Sequence, residues 1–189
     1  MLLNTYDRRD SMIYYTADLH LGHANIMKLS GRPFESVEEM NEALVNNWNA
    51  VVRDDDDVYI LGDVMFKMSS RPENFLHRMK GRKHLIVGNH DRQNLKKEAF
   101  TSCFDSINDY LCIEDEGRKV VLFHYPILEW DGYFRGHYHI YGHIHNSDNF
   151  ANQVMQQVKN AFNAGVDVND FTPQTLSQLI RRNQGAKPL

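Results

Sequence analysis

Apolar residues along this chain recur at two spacings, one typical of short buried strands and the other of amphipathic helices. A strand-like run covers 12–16, and similar short runs follow at 58–61 and 84–87. Between the first two runs, apolar residues recur at helical spacing over 40–52, behind a capping box that begins at Ser36. Strands that alternate with helices in this way predict an α/β fold.

The second half of the chain has a different order of elements. Two strand-like runs flank a polar segment at 114–118, which indicates a β-hairpin and therefore a mixed sheet. The remaining pattern predicts, in chain order, a helix over about 72–80, hairpin strands at 110–113 and 119–123, a strand at 138–141, a helix at 152–162, a strand at 165–168 and a last helix with Thr172 as N-cap and Pro173 next. Because no repeat or linker interrupts this order, one domain over 1–189 is expected.

Composition and charge exclude several classes of protein. The 189 residues carry a formal net charge of −4, which gives no overall basic field for nucleic acid or anionic membrane. Cys103 and Cys112 are too few for a disulfide framework and are expected to be reduced thiols. The acidic run 54–57 is expected to form a solvated turn. Residues 1–10 do not resemble a secretory signal, and no apolar run is long enough to span a bilayer, so a cytoplasmic location is expected.

Five clusters of potential metal ligands punctuate the chain, and four of them come just after a strand-like run. In chain order they are Asp18-Leu19-His20, Gly62-Asp63, Gly88-Asn89-His90-Asp91, His124 and Gly142-His143-Ile144-His145. Ligands in α/β sheets bind outside the carboxyl ends of the strands, so we expect these clusters to converge on one edge. Imidazoles combined with carboxylates and an amide form a nitrogen and oxygen site, which suits Mn, Fe, Zn, Ni or Co. It is not a thiolate site.

The spacing within the clusters indicates two adjacent cations. Asp18 and His20 are two residues apart, and in a strand this spacing puts both side chains on one side. His143 and His145 repeat the spacing, and Asp63 has two carboxylate oxygens with which to bridge two metal ions. Cations about 3.5–4 Å apart lower the pKa of a shared water and clamp the attacking and leaving oxygens of a displacement at phosphorus. The chemistry this favours is hydrolysis of a phosphate ester.

The ordered set carries the specificity, because each cluster alone is common. His137 and His139 share the two-residue spacing of the later pair, His143 and His145. We favour the later pair as ligands because Gly142 marks the end of a strand. The earlier pair is expected either to line the pocket or to pack.

The five motifs resemble the signature of the calcineurin-like metallophosphoesterases, which reads D-x-H, G-D, G-N-H-[D/E], H and G-H-x-H. Together with Arg32-Pro33-Phe34 and the segment 165–169, they look most like the small bacterial and phage phosphoesterases that lack a cap domain. The resemblance implies a four-layer α/β/β/α sandwich of two mixed sheets flanked by helices. It also implies two metal ions, with manganese expected first and Fe, Zn, Ni or Co as alternatives.

The resemblance further implies roles for individual residues. One metal ion is expected on Asp18, His20, Asp63 and His145, and the other on Asp63, Asn89, His124 and His143. His90 is expected to protonate the leaving oxygen or to stabilise its developing charge. Phosphoprotein phosphatases of this superfamily have an aspartate three residues after the G-D aspartate to orient this histidine, whereas this chain has Phe66. Either Asp91 or a backbone carbonyl then orients His90, or its role is reduced.

The substrate phosphate needs donors other than the metal ions. His23 and Arg32 are the first candidates because both follow the first motif, and arginine suits bidentate phosphate contacts. Arg92 and Arg135 are further candidates. Four aromatic residues are expected either to stack on a nucleobase or to belong to the core: Phe34, Trp130, Tyr133 and Phe134.

The sequence therefore predicts a metal-dependent phosphoesterase that hydrolyses a small phosphomonoester or phosphodiester by in-line attack of a metal-bridging hydroxide. A nuclease is the alternative among enzymes, although the chain has no basic stripe to hold duplex. A non-catalytic metal-binding scaffold is the alternative outside enzymes, although every ligand position of the motifs is filled. The expected partner is a small phosphate ester, without a stable nucleic-acid or membrane partner.

Overall fold

The computed structural model describes residues 10–66 and 73–184, in which two four-stranded sheets form the centre of the fold. The strands are β1 (Ile13–Thr16), β2 (Asp57–Ile60), β3 (Arg82–Ile86), β4 (Ser106–Asn108), β5 (Tyr110–Asp115), β6 (Arg118–Phe123), β7 (Tyr138–Tyr141) and β8 (Ala161–Asn163). The α-helices are α1 (Ala24–Leu29), α2 (Val37–Val51), α3 (Glu73–Leu76), α4 (Glu98–Thr101), α5 (Phe150–Met155) and α6 (Leu176–Gln184). Short 3₁₀ helices lie at Asn94–Lys96, Tyr133–Arg135 and Val166–Val168.

The two sheets differ in strand direction. The first has the order β1-β2-β3-β4, and its described strands all pair in parallel. The second has the order β5-β6-β7-β8, in which β5 and β6 form an antiparallel hairpin and the other neighbours are parallel. Glu116 and Gly117 close the hairpin with φ of 49° and 72°, as a type I′ turn requires. One sheet is therefore mixed, as expected, whereas the first contains only parallel pairs.

Three apolar clusters arrange these elements in four layers. The first lies between the first sheet and α2 and includes Val58 and Trp48. The second lies between the two sheets and includes Tyr15 and Ile140. The third covers the far face of the second sheet and includes Met155 of α5. This order of layers confirms the expected α/β/β/α sandwich.

The helix α2 begins where the capping box predicts. Ser36 Oγ accepts a hydrogen bond from Glu39 N at 3.1 Å, and the Glu39 carboxylate accepts one from Glu35 N at 2.8 Å. These contacts satisfy amide groups that have no partner inside the helix. The buried residues of α2 recur at helical spacing, which turns one face of the helix towards the first sheet.

Several boundaries differ from the sequence expectation. The helix expected over 72–80 covers Glu73–Leu76, and position 72 lies outside the described residues. The helix expected over 152–162 covers Phe150–Met155, because positions 161 and 162 belong to β8. The strand expected at 165–168 is wrong. Asn169 Nδ2 donates to Asn163 O at 3.0 Å and to Gly165 O at 2.9 Å, which folds this segment into a 3₁₀ turn.

The start of the last helix was also predicted wrongly. It begins at Leu176, because Thr175 and Gln178 form a capping box in place of Thr172. Thr175 Oγ1 accepts from Gln178 N at 3.3 Å, and Gln178 Oε1 accepts from Thr175 N at 2.7 Å. Thr172 instead donates from Oγ1 to Asp170 O at 2.9 Å.

The acidic run 54–57 is only partly a solvated turn. Asp54 and Asp55 are exposed, but Asp56 is fully buried. The Asp56 carboxylate accepts from Met12 N and Arg53 N, both at 2.8 Å, and so joins the end of α2 to the start of β1. The expectation was wrong for Asp56 because a carboxylate that caps backbone amides is stable when buried.

The cysteines agree with the expectation of reduced thiols. Cys103 is buried and Cys112 is exposed, and no disulfide joins them. Within the described parts of the chain, no helix combines the length and the apolar character needed to cross a membrane.

Asp57, at the start of β2, gives stability that depends on pH. Its carboxylate accepts from Arg82 Nε at 2.8 Å and Nη2 at 2.6 Å, and it lies 2.8 Å from His84 Nε2. Burial by itself raises the pKa of Asp57, but the hydrogen bonds from Arg82 and His84 hold the pKa below its ordinary value of 3.8. A carboxyl group whose pKa is depressed by folding stabilises the fold at pH values above its unfolded-state pKa. This contribution is lost as the pH falls through the folded-state pKa.

We expect Asp57→Asn to lower the free energy of unfolding at pH 7 by at most about 1 kcal/mol, because water screens this pair. The difference from the wild type should be smaller near pH 3 than at pH 7, because this contribution is lost as the pH falls through the folded-state pKa of Asp57. Urea denaturation at the two pH values measures both quantities. Asp54→Asn, exposed in the same acidic run, is the control and should change little. An Asp57→Asn effect of the same size at both pH values would contradict the assignment.

Candidate metal centre

The motif residues meet where strands of both sheets end. They follow β1 (Asp18, His20), β2 (Asp63), β3 (Asn89), β6 (His124) and β7 (His143, His145). Backbone hydrogen bonds continue the strand pairing into the motifs, since Asp18 N donates to Gly62 O and His20 N donates to Asp63 O, each at 3.0 Å. The expected convergence on one edge is therefore present.

The carboxylates and imidazoles gather in two groups of three. One group consists of Asp18, His20 and His145, and the other of Asp63, His124 and His143. Within each group, one potential ligand atom per residue lies within 4.8 Å of the others. Both groups are composed entirely of residues that the sequence predicted as metal ligands.

Asp63 lies between the two groups. Its Oδ2 is 3.7 Å from His20 Nε2 in one group and 3.7 Å from His124 Nε2 in the other. Asn89 joins the second group, because its Oδ1 is 3.1 Å from His124 Nε2. One carboxylate oxygen thus faces imidazoles of both groups.

The hydrogen bonding of the buried histidines fits a metal ion. His20 is buried, and neither of its ring nitrogens has a hydrogen-bond partner among the described residues. Such a group costs about 1–3 kcal/mol when it stays unsatisfied, and a cation at Nε2 would satisfy it. His124 Nδ1 lies 2.7 Å from Leu61 O, an acceptor, so the proton sits on Nδ1 and the Nε2 lone pair is left for a metal ion. The residues present therefore fit divalent cations.

Burial shifts the pKa of three of the ligand candidates. Complete burial raises the pKa of Asp18 to about 8, against the opposing effect of His145. Burial lowers the pKa of His20 to about 2, so its ring is neutral. Burial also raises the pKa of Asp63, although a hydrogen bond from His90 N to Oδ1 at 2.9 Å opposes this shift. Buried carboxyls beside neutral imidazoles are stabilised as ligands when a cation replaces the lost hydration.

Five of the ligand candidates have a left-handed backbone, which is uncommon for residues other than glycine. They are Asp18 (φ 57°), His20 (51°), Asp63 (54°), His143 (72°) and His145 (50°). Each such residue costs of the order of 1–2 kcal/mol, so the surrounding contacts must hold it in place. Strained residues concentrated at one edge are typical of a functional site.

Asp91 supplies one of these contacts. Its carboxylate accepts hydrogen bonds from the amides of Asp63 at 2.8 Å, Gly88 at 2.9 Å and Val64 at 3.0 Å. The G-D loop and the G-N-H-D loop are thereby held together. Because the carboxylate is directed at backbone amides, the hypothesis that Asp91 orients His90 is wrong.

His90 lies at the open side of the centre. Its Nε2 is 3.9 Å from Asp63 Oδ2, and its side chain is 37% exposed. The ring packs edge-on against Phe66, with centroids 5.2 Å apart, and against His20 at 5.4 Å. Phe66 therefore restricts the ring through packing, at the position where the phosphoprotein phosphatases with similar motifs have an aspartate.

Arg32 is buried among other groups of the protein, which contradicts its predicted role as a donor to the substrate phosphate. Its side chain is 0% exposed. The guanidinium donates to Asp18 O at 2.7 Å, to Leu19 O at 2.9 Å and to the Asp167 carboxylate. The sequence could not show this, because an arginine suits a buried carboxylate as well as a phosphate.

The other phosphate candidates have different surroundings. The His23 ring is partly exposed, stacks on Phe66 with centroids 4.1 Å apart and lies 5.4 Å from the His20 ring, so it stays a candidate. Arg92 and Arg135 are exposed and pair with carboxylates of Asp109 and Asp131, at 3.1 Å and 3.0 Å.

His139 packs in the core and does not join the centre. It is fully buried, its Nδ1 is 3.2 Å from Val121 O, and its ring lies 5.2 Å from that of Trp130. Burial lowers its pKa to about 4. His137 Nδ1 is 3.0 Å from Asp131 O. The choice of His143 and His145 over this earlier pair agrees with the two ligand groups.

The aromatic candidates divide between core and surface. Trp130 is buried in the third apolar cluster, with Tyr133 packed against it, and Phe34 packs edge-on against Phe171 at 5.0 Å. Phe134 is 85% exposed.

Two residues beside the centre were missed by the sequence analysis. The Tyr125 ring lies 4.6 Å from the His143 ring and 4.9 Å from the His124 ring. Asp167 Oδ2 lies 2.6 Å from His145 Nδ1. Tyr125 could have been found from its position next to His124, which belongs to a motif. Asp167 could have been found from its place in the segment 165–169.

A sequence comparison relates the chain to an archaeal protein over most of its length. The chain belongs to the family of the uncharacterized protein MJ1445 of Methanocaldococcus jannaschii. It is 33% identical to MJ1445 over 175 residues, which cover 89% of each chain. No protein-family model matches the chain.

Two further proteins are similar to this chain, one from a phage and one with a solved structure. The Gene 66 protein of Mycobacterium phage L5 is 38% identical over 87 residues, which cover 43% of this chain and 40% of the phage protein. The crystal structure of AQ665 from Aquifex aeolicus, a protein of unknown function, superposes with a TM-score of 0.70 and 26% identity over 91% of this chain and 99% of that one. None of these three names states an activity.

Gly88 lies where the second and third motifs touch. A Cβ added there would meet the Asp63 carboxylate, and it would lie 3.0 Å from Gly62 Cα. We expect Gly88→Ala to lower the free energy of unfolding by about 1–3 kcal/mol. It should also displace Asp63 and weaken Mn²⁺ binding roughly 10-fold or more. Urea denaturation and titration calorimetry measure the two effects.

Gly117→Ala is the matched control. Gly117 has φ of 72° and nothing within 4 Å of an added Cβ, in the hairpin turn before β6, whereas His124 follows the other end of that strand. The alanine should cost about 1–2 kcal/mol through the backbone alone and leave Mn²⁺ binding unchanged. Wild-type Mn²⁺ affinity in Gly88→Ala would show that the close approach does not position Asp63.

Proposed function

We propose that the protein is a dinuclear metal-dependent phosphoesterase that hydrolyses a small phosphomonoester or phosphodiester. The observation that carries this proposal is the position of Asp63 Oδ2, which is 3.7 Å from Nε2 of both His20 and His124. A carboxylate oxygen flanked by one imidazole from each ligand group is suited to bridging two cations. Two-metal sites of this type catalyse in-line displacement at phosphorus.

The ligand sets follow from the two groups and the bridging position of Asp63. One metal ion would be held by Asp18, His20, Asp63 and His145, and the other by Asp63, Asn89, His124 and His143. The nitrogen and oxygen donors favour manganese first, with Fe, Zn, Ni or Co as alternatives. When bound, such cations polarise the phosphoryl oxygen and lower the pKa of a water that they share.

His90 has the exposure and position of a proton donor. Its Nε2 is directed towards Asp63 at 3.9 Å, and its partly exposed ring borders the space in front of the two ligand groups. From there, the imidazole can donate its Nε2 proton to the oxygen of the leaving group. The His23 ring, stacked beside it on Phe66, is the candidate for a neutral donor to the phosphate.

The surface charges of the described residues favour a small ester over a nucleic acid. Several exposed arginines pair with neighbouring carboxylates within 2.6–3.1 Å, namely Arg78, Arg82, Arg92, Arg135 and Arg182. Paired arginines contribute little net field for a phosphate backbone. The complete ligand set, in turn, favours an enzyme over a scaffold.

Asp63→Asn tests the bridging carboxylate. We expect the variant to bind about one Mn²⁺ per chain or fewer where the wild type binds two. Its kcat/KM should fall at least about 100-fold on p-nitrophenyl phosphate or its bis ester. Metal analysis after gel filtration and steady-state kinetics measure these values. Asp109→Asn, which changes an exposed carboxylate paired with Arg92, is the control and should retain both properties.

Two results would reject the proposal in different ways. A wild-type protein with fewer than one tightly bound metal ion and no turnover of either ester is not a metal-dependent phosphoesterase. Full activity in Asp63→Asn would mean that the metal assignment is wrong.

His90→Ala tests the proton donor. We expect kcat to fall about 10²–10⁴-fold for an alkyl phosphate, whose leaving oxygen needs a proton. The loss should be much smaller for p-nitrophenyl phosphate, because p-nitrophenolate leaves without protonation. Both metal ions should remain bound in the variant. Equal losses on the two substrates would refute proton donation by His90.

A further inference from the structure

Two segments whose sequences resemble the small phosphoesterases meet behind the candidate metal centre. Arg32 follows α1, and Asp167 lies in the 3₁₀ turn after β8. Arg32 Nε donates to Asp167 Oδ1 at 2.8 Å, and Nη2 donates to Oδ2 at 3.2 Å. The two side chains are 0% and 1% exposed, so this bidentate pair is sealed from water.

The same carboxylate fixes the ring of one ligand candidate. Asp167 Oδ2 lies 2.6 Å from His145 Nδ1. A carboxylate that pairs with a guanidinium accepts a hydrogen bond, so Nδ1 donates and the lone pair lies on Nε2. His145 therefore presents Nε2 to Asp18 and His20, the other members of its group.

Arg32 also fixes the backbone of the first motif. Its Nη2 donates to Asp18 O at 2.7 Å, and its Nη1 donates to Leu19 O at 2.9 Å. One guanidinium thus holds the loop of Asp18 and His20 directly and the ring of His145 through Asp167. These three residues form one of the two ligand groups.

The second ligand group is held by other contacts. His124 Nδ1 is fixed by Leu61 O at 2.7 Å, and Asp63 N by the Asp91 carboxylate at 2.8 Å. The hydrogen bonds of Arg32 and Asp167 described above instead end on the first motif and on His145. Arg32 and Asp167 therefore support the first group directly and reach the second group only through Asp18, whose carboxylate accepts from His143 N.

Stability alone does not account for the Arg32–Asp167 pair. Burying two charges has a desolvation cost that often cancels their attraction, and an apolar pair of similar volume is commonly as stable. A carboxylate that orients a metal-binding histidine is instead a recurrent feature of metal centres, where its loss weakens binding about 10–100-fold.

We propose that Arg32 and Asp167 are positioning residues that set the affinity of one metal ion, the one held by Asp18, His20 and His145, and leave the other ion unaffected. The inference rests on the proposed function, because it needs two metal sites in one centre. It assigns a role to both segments that resemble the small phosphoesterases.

Asp167→Asn is the direct test, because asparagine keeps the size of the side chain and removes its charge. We expect one of the two Mn²⁺ ions to bind about 10–100-fold more weakly in titration calorimetry, with the other unchanged. Cobalt substitution gives a spectroscopic readout, in which the visible absorption of one of the two Co²⁺ ions should shift or disappear. Asp170→Asn is the matched control, because Asp170 is exposed in the same region and pairs with Arg182.

A second variant separates positioning from loss of fold. Asp167→Glu keeps the charge and moves the carboxylate, and it should recover part of the affinity that Asp167→Asn loses. Thermal unfolding of the metal-free proteins shows whether each variant is folded.

Three results overturn the inference. If Asp167→Asn binds both ions as the wild type does, the inference fails and the proposed function stands. If both ions weaken equally, the selective role is wrong. If the wild type binds no metal ion, the proposed function fails and the inference falls with it.

Discussion

One carboxylate joins the two sheets of this protein at the metal centre. Asp18 follows β1 of the first sheet and accepts a hydrogen bond from the amide of His143, which follows β7 of the second, at 2.8 and 3.1 Å from its two oxygens. Gly142 permits this approach, since a Cβ there would lie 2.7 Å from Asp18 Oδ2. Because Asp18 is fully buried, its ionised form depends on hydrogen-bond donors such as this amide. The packing of the sheets and the assembly of the site thus share one contact.

The same edge of the fold concentrates both strain and electrostatic cost. An isolated loop would be destabilised by left-handed backbone, which occurs at Asp18, His20 and Asp63. It would also be destabilised by buried carboxyl groups, and burial raises the pKa of Asp18 and Asp63. In the folded chain, Asp91 holds one loop through three backbone hydrogen bonds, and Arg32 holds another through two. A rigid frame of this kind holds ligand atoms in place before a cation arrives, which reduces the free energy lost in ordering them.

Much of the fold could be predicted from local pattern, and the failures have local causes. The alternation of apolar residues predicted β1, β2, β3 and β7, and the capping box at Ser36 predicted the start of α2. The segment 165–168 reads as a strand, but the Asn169 side chain folds it into a turn through contacts with backbone carbonyls. Competition by a polar side chain for backbone groups is not visible in apolar periodicity.

The sequence by itself indicated the members of the two ligand groups, because their motifs follow strand ends and resemble a known metallophosphoesterase signature. Only the tertiary structure decided what surrounds those ligands. Arg32 and Asp167 are 135 positions apart, and their pairing depends on how the two sheets pack. An arginine near a phosphate site is chemically suited to a substrate or to a buried carboxylate. Burial selects between the two, and burial is a property of the folded chain.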